Sequence, residues 1–368
     1  METWLGRSPL FYPAWEILPH EGKLPHADVI SDRLQTLVAL SGRSTSNQKQ
    51  STAVVTSVTA LLQKTFAPDG LKSRTRPLNR GDKIAPLDLI EWLEAQGYEP
   101  EAQVTQRGEI ALRGGIVDIY PPTSPWPVRV EFFGDDLESL RYFDPLTQIS
   151  REEIPGITLP PAGELGILRS AGGPSASAST LLDHLPRETI FLLCDPETLA
   201  VHAETYARQI PAKDAFFISW PDFLIDLNRH GLTSIELFDD GTNGVPGTTP
   251  ASPASDDALH FTTLDAFRPL AERAPEPQIA EMQRREFFRQ LHRWLRQEYA
   301  VHVFCNNDGE RQRFEEILKD LNLADDNQPN IQIGSLARGF ICEAAKLVVV
   351  TDAEIFGRYK VLRPRRLK

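Results

Sequence analysis

The sequence has little of what would tie it to a metal, a disulfide framework or a membrane. Its three cysteines, Cys194, Cys305 and Cys342, are an odd number without close spacing. That argues against a zinc site or a disulfide scaffold. Because each lies in or beside an apolar run, they read as buried, reduced thiols of a cytoplasmic protein. No apolar run approaches the roughly 20 residues of a membrane-spanning helix. The first residues, METWLGRSPLFYPAWEILPHEGK, lack the basic start, apolar stretch and small-residue cleavage site of a secretory signal. Also missing is the phosphate cradle of a nucleotide-driven motor. No G-x-x-x-x-G-K-[ST] occurs, and EGKLP (21–25) and RGDKIA (80–85) lack both its spacing and its magnesium-binding hydroxyl. No G-x-S-x-G elbow is present. His20, Glu21, His26 and Asp28 cluster in HEGKLPHAD, but a proline-containing loop does not set two histidines on one helical face. The expectation is a chain with no catalytic residues, no metal and no cofactor of its own.

Positive charge is short as well: 39 Lys and Arg against 51 Asp and Glu give a net charge of -12. A broad nucleic-acid footprint needs clustered cations that release counterions from phosphates, so protein partners are favoured for most of the surface. The exception is RYKVLRPRRLK (358–368), with six Lys or Arg and no acid. It reads as a solvated basic linker rather than a DNA contact.

What is present describes a globular protein: 41% hydrophobic and 24% charged residues over a length that predicts two or three units. Polar stretches at 41–52, 169–180 and 239–258, rich in Gly, Ser, Thr, Pro and Asn, predict loops or linkers. Between them strands and helices alternate. HADVISDRLQTLVAL carries Val29, Ile30, Leu34, Leu37 and Val38 at helical spacing, and TAVVTSVTALLQ reads as a short strand and a helix. In ETIFLLCDPETLAVHAETYARQ an apolar strand ends at Cys194, Asp195 can cap, and Pro196 opens a helix. YAVHVFCNNDGERQRFEEILKDL repeats the pattern, and AKLVVVTDAEIF adds a buried strand whose tip, Asp352 and Glu354, reads as a cap for the next element. Such alternation predicts parallel sheets covered by helices.

Residues 88–160 break this rule. After a helical PLDLIEWLEAQGY come strand-like pieces joined by Gly, Pro and Asp turns, which predicts an antiparallel β-rich insertion. In IALRGGIVDIY a period of two sets Ala111, Arg113 and Gly115 on one face and Leu112 on the other, with the glycines a candidate bulge. In VRVEFF, Val128, Val130 and Phe132 share one face and Arg129, Glu131 and Phe133 the other. Two readings of that second face are open. Arg129 pairs with Glu131 or Glu138 on a solvated face, which the pattern alone favours, or the face binds a partner through a few anchors.

The stretch RGEIALRGGIVDIYPPTSPWPVRVEFFGDDLESLRYFDPLTQIS (107–150) resembles the inserted domain shared by UvrB, the damage-verifying subunit of bacterial nucleotide excision repair, and the transcription-repair coupling factors (Mfd). LFYPAWEILPHEGKLPHADVISDRLQTLVAL and LVVVTDAEIFGRYKVLRPRR are similar to neighbouring parts of the coupling factors, and the tyrosine-rich DNA-inserting hairpin of UvrB is absent from WEILPHEGKLP. The resemblance implies an α/β fold: a degenerate helicase-like parallel-sheet domain in two parts, 1–87 and 163–258, truncated at its N-terminus. It also implies an inserted β-rich UvrA-interaction domain at 88–162, a small α/β domain at 259–357 and a basic linker at 358–368. It implies a fragment whose parent is an ATP- and magnesium-dependent DNA translocase, with RNA polymerase and DNA bound through parts outside this chain. By motif, the UvrA contacts carry over to Arg113, Arg129 and Phe133, with Arg107 a weaker candidate. The resemblance thus favours the partner-binding reading of the face, with a UvrB-type damage-verifying subunit as the alternative identity.

Overall fold

The computed structural model of the chain describes residues 8–41, 52–170, 178–211, 214–238, 261–267, 277–320, 328–334 and 338–351, with 336 and 354. Most of the three polar stretches, the basic segment 358–368 and Asp352 lie outside the described residues. Helices and several sheets make an α/β protein, divided into two compact units, Pro9–Thr242 and one formed around Asn243–Lys368. Among the described residues, no helix is long and apolar enough to cross a membrane.

The first unit opens with strand β1 (Leu10–Tyr12) paired in parallel with β2 (Val54–Thr56), the crossover being helix α1 (Ala27–Ser41). The apolar spacing read from the sequence sets the buried face of α1, on which Ile30, Leu34, Leu37 and Leu40 are all in the core. Each such side chain contributes about 1.5–3 kcal/mol when fully buried. A short helix α2 (Val58–Leu61), capped by the Ser57 side chain, then leads through β3 (Thr65–Phe66) to α3 (Pro68–Ser73).

The chain leaves this layer through β4 (Arg76–Asn79) and returns through β11 (Gly156–Leu159), and these two strands pair antiparallel as a two-stranded stem. Between them lie helix α4 (Pro86–Ala95) and a six-stranded sheet, β5 (Glu99–Pro100), β6 (Glu109–Arg113), β7 (Ile116–Ile119), β8 (Val128–Phe133), β9 (Asp136–Phe143) and β10 (Ser150–Glu153), neighbours in chain order. All neighbouring pairs are antiparallel except β5 with β6. One face of this sheet, with Ile110, Val117, Ile119, Val128, Val130 and Leu140, closes a core against Leu89 and Leu93 of α4. The end of α4 is sewn to the segment that follows β11: the amides of Ala162 and Gly163 both donate to the Gln96 carbonyl, at 2.8 and 3.2 Å. Gly97 sits there at φ +84°, and a Cβ on it would come within 2.8 Å of the Gly163 nitrogen, so only glycine fits this crossing.

After the stem come α5 (Leu165–Ser170), β12 (Ala178–Ser179) paired with β3, and β13 (Ile190–Cys194), α6 (Pro196–Ala207), α7 (Trp220–Arg229) and β14 (Thr233–Leu237). Asp195 caps α6 through Thr198 and Pro196 opens it, as the sequence predicts. Strands β13 and β14 pair in parallel. The parallel pairing expected for this domain is thus present among the described residues as two separate pairs, β1–β2 and β13–β14, rather than as one continuous sheet. The β13–β14 pair turns Phe191 and Leu193 into the core and leaves Ile190, Leu192 and Cys194 outward. Cys194 is therefore exposed, correcting the expectation of three buried thiols, while Cys305 and Cys342 are buried.

The second unit is a five-stranded sheet in the order β15 (Phe261–Thr263), β18 (Phe340–Cys342), β19 (Leu347–Thr351), β16 (Ala300–Cys305) and β17 (Asn330–Ile333). Helices α8 (Pro277–Arg296) and α9 (Asp308–Asp320) cover it, with Phe287, Leu291, Trp294 and Phe314 packed on Val301, Val303, Val348 and Val350. Glu354 accepts hydrogen bonds from the Thr351 amide and hydroxyl and from the Gly339 amide, at 2.8, 2.6 and 3.2 Å. The acid at this strand tip therefore closes a turn.

One polar cluster lies inside the first core. Arg33 and Glu164 are fully buried and joined through two hydrogen bonds, at 2.7 and 3.1 Å. Glu164 also accepts from Thr65 at 2.6 Å and from the Trp15 indole at 2.9 Å, while Arg33 stacks on the Tyr12 and Trp15 rings. Removing one member of such a pair strands a buried charge. We expect Glu164→Ala to lose about 3–5 kcal/mol of stability, whereas Arg208→Ala, which breaks an exposed i,i+4 pair with Glu204, changes it by about 0.5 kcal/mol or less. Urea unfolding of the two variants measures the contrast; equal losses would contradict it.

Candidate protein-interaction face

The double glycine of the inserted sheet is a two-residue hairpin turn rather than a bulge. Arg113 pairs directly with Ile116, leaving Gly114 (φ +63°) and Gly115 as the loop. A Cβ on Gly115 would meet the Phe132 carbonyl at 2.9 Å, so the turn packs against β8 as only glycine allows. A bulge lies instead in β9, where Glu131 opposes Ser139 and Phe132 opposes Leu137, leaving Glu138 as an extra residue.

Cross-strand partners share a face, so the register fixes the outer surface. One row runs Arg113, Ile116, Glu131, Ser139 and the next Ala111, Asp118, Arg129, Arg141. Phe133, opposite Asp136, lies beyond the first row at the hairpin end. Arg113, Arg129 and Phe133 therefore stand on one face. Arg107 does not join them, because it precedes β6 at the end opposite Arg113, six residues or about 20 Å along an extended chain. Its charge acts instead on Asp32 of α1, whose carboxyl is pushed up by burial against that attraction.

The three residues differ in what holds them. Phe133 is 75% exposed. Arg113 is exposed and donates through Nη2 to the Ala102 carbonyl at 2.6 Å. Arg129 is ordered most tightly: its Nε and Nη2 donate to the two oxygens of Asp118, both at 2.8 Å, and its Nη1 donates to the Gln148 carbonyl at 3.3 Å. The guanidinium also lies 4.7 Å over the Phe143 ring. The hydrogen bonds it donates to Asp118 raise the Arg129 pKa above its ordinary value despite partial burial, so it stays charged.

The partner of Arg129 is thus neither Glu131 nor Glu138, as expected from local sequence. Asp118 lies directly across the strand pair, whereas Glu131 accepts from the Ser139 hydroxyl at 2.7 Å and sits 3.8 Å from Arg141. Sequence reasoning passed over Asp118, Arg141 and the two exposed apolar residues flanking Gln148, Leu146 at 90% and Ile149 at 67%. The visible signal was the apolar pair in LTQI, inside a turn where polar residues are the rule.

A cavity of about 490 Å³ at the root of the insertion is lined by Arg74, Glu94, Glu164, Ser170 and backbone near Gly97 and Gly163. Glu164 is saturated by Arg33, Thr65 and Trp15, Arg74 donates to Gln96, and the Ser170 hydroxyl donates to the Gly166 carbonyl. No nucleophile faces a base there. Among the described residues, no group of three or more His, Cys, Asp or Glu is placed to hold a metal ion.

Comparison with known proteins meets this geometry. Residues 77–165, the stem, helix and sheet just described, match the model of the UvrB interaction domain. Across a longer stretch the chain is similar to proteins named transcription-repair-coupling factor. Identity is 35% over 153 residues with that of Haemophilus influenzae, covering 42% of this chain and 13% of that protein. It is 35% over 150 residues with that of Escherichia coli, covering 41% and 12%. With that of Staphylococcus haemolyticus it is 25% over 418 positions, covering 97% of this chain and 34% of that protein. The resemblance to the coupling factors read from the sequence is borne out, and the chain spans about a third or less of the length of these relatives.

The ion pair at the centre of the face is separable from its exposed anchor. We expect Asp118→Ala to lose about 1–3 kcal/mol by leaving a half-buried guanidinium without its acceptor, and Phe133→Ala to stay within about 0.5 kcal/mol of the parent. Thermal unfolding of both variants decides this, and a large loss in Phe133→Ala would make that ring structural.

Proposed function

We propose that this chain is an adaptor module of a transcription-repair coupling factor, and that the outer face of its inserted sheet recruits UvrA to a stalled polymerase. The observation that carries this reading is Phe133, a large aromatic ring left 75% exposed beside two arginines that are already held in place. Interfaces draw most of their energy from a few aromatic and arginine anchors, and ordering an anchor before binding lowers its entropic cost. Guanidinium donors suit carboxylates and backbone carbonyls on a protein partner. The name of the matching domain and the names of the relatives agree with repair machinery as the partner class.

In this reading the chain is non-catalytic and uses no cofactor. ATP and magnesium would serve the motor of the full-length coupling factor, whose polymerase and DNA contacts lie in other regions. The face would act by holding UvrA while that motor acts on the polymerase.

The test is calorimetric titration of the chain with purified UvrA, beside the combined variant Arg113→Ala, Arg129→Ala, Phe133→Ala. Wild-type binding weakened at least about 30-fold in a folded variant, equivalent to about 2 kcal/mol, is the expected result. Binding unaffected by the triple substitution would move the UvrA site elsewhere. ATP hydrolysis by the chain would favour the UvrB-type alternative.

A further inference from the structure

The turn between β9 and β10 displays two large aliphatic side chains where a turn is normally polar. Leu146 and Ile149 are exposed, and among the described residues neither joins a hydrophobic cluster. Single apolar residues on a surface are ordinary. Here the backbone beneath the pair is fixed before anything covers it. Asp144 Oδ1 accepts from the Leu146 and Thr147 amides at 2.9 and 3.0 Å, and the Asp144 amide donates to the Ile149 carbonyl at 3.0 Å. Gln148 stands between the two aliphatics at φ +60°, a left-handed conformation that a residue other than glycine keeps only where its surroundings impose it. Its amide donates to the Asp144 carbonyl at 2.7 Å, and its Nε2 to the carbonyls of Pro145 and Val104 at 2.8 and 3.1 Å. Its own carbonyl accepts from Arg129.

The contacts with Arg129 and Val104 place the turn on the outer side of the sheet, where Val104 packs on Ala111 and Phe143. It is therefore on the side that carries Arg113 and Phe133, but at the other end. Phe133 opposes Asp136 at the start of β9, and the turn follows Phe143 at its finish, a separation of roughly 20 Å along the strand. A standard interface of about 800 Å² on each partner is about 30 Å across when roughly circular. One partner can cover both ends.

We propose that the turn 144–149 is a second apolar anchor for UvrA, with Leu146 and Ile149 entering an apolar recess on that partner. The inference rests on recruitment of UvrA by this face and extends it to the end remote from Phe133. The charges between the two ends are already matched, Arg129 with Asp118 and Arg141 beside Glu131, so the apolar ends have the most to gain from leaving water. Because the turn is set in advance, little backbone freedom is lost when it docks. Continuity with the face, through Arg129, favours the same partner over a second copy of this chain.

The test is calorimetric titration of the complete chain with purified UvrA, comparing the double variant Leu146→Ser, Ile149→Ser with Phe133→Ala. The double variant is expected to keep the thermal midpoint of the wild type, since both side chains lie in water. It is expected to bind at least about 10-fold more weakly, with a less negative heat-capacity change on binding. Combined with Phe133→Ala, the two losses multiply, as for sites too far apart to couple. The conservative pair Leu146→Met, Ile149→Val stays within about threefold of the wild type. If the Ser variant binds as the wild type does while Phe133→Ala weakens binding, the second anchor is overturned and recruitment by the Phe133 end stands. If the wild type does not bind UvrA, recruitment fails and the anchor with it. A lowered midpoint of the Ser variant would make the two side chains structural and overturn the proposal as well. So would sedimentation of the chain alone as a dimer that the Ser substitutions dissociate, which would assign the turn to a second copy.

Discussion

The first unit depends on one buried ion pair. Arg33 comes from the helix between the first two strands and Glu164 from the first residues after the insertion, 131 positions later. Two charges taken out of water are costly, and their attraction compensates only where the remaining donors and acceptors are filled. Here they are. Glu164 receives Arg33, Thr65 and Trp15, and Arg33 reaches the Pro13 carbonyl and the Gln63 side chain as well as two aromatic rings. Gln63 in turn accepts from the Trp15 amide and donates to Tyr206 of α6. An apolar core would fill the same volume, but this network accepts only one arrangement of the elements that meet in it. It fixes where the chain must re-enter the domain after its excursion.

That constraint bears on the interaction face. The insertion is tied at its root by the β4–β11 stem, by the two bonds from residues 162 and 163 to Gln96, and by the glycine crossing at Gly97. Glu164 follows directly. A sheet mounted on such a root can present a fixed surface, and the cross-strand pair of Asp118 with Arg129 extends the same order to the centre of the face. Both pairs tie separate segments of the chain together through a forked arginine. They differ in exposure: the first is sealed, and the second leaves its arginine side chain 17% accessible.

Helical and strand periods made much of this legible. The spacing of Ile30, Leu34 and Leu37 gave the buried side of α1, and the alternation in VRVEFF gave both faces of β8, because each depends on residues a few positions apart. Arg33 lies within the same helical stretch, but nothing near it in sequence reveals its partner, since that acid is 131 residues away. The Asp118 pairing was hidden for a related reason: register, not proximity in sequence, makes it the neighbour of Arg129. The glycine pair allowed a bulge or a turn, and only the direct pairing of Arg113 with Ile116 distinguishes them. Cys194 was misjudged because an apolar strand was taken to be covered on both sides, whereas a two-stranded pair buries one.

The residues of the interaction face divide between holding the sheet together and meeting a partner. Arg129 has most of its donors occupied before any partner arrives, so its further contribution to binding is limited and its main effect is to hold β7, β8 and the Gln148 turn in register. Arg113 has one nitrogen committed to a backbone carbonyl and the rest of its fork open. Most of the affinity on that face must then come from apolar area removed from water, which Phe133, Leu146 and Ile149 supply and which salt hardly screens.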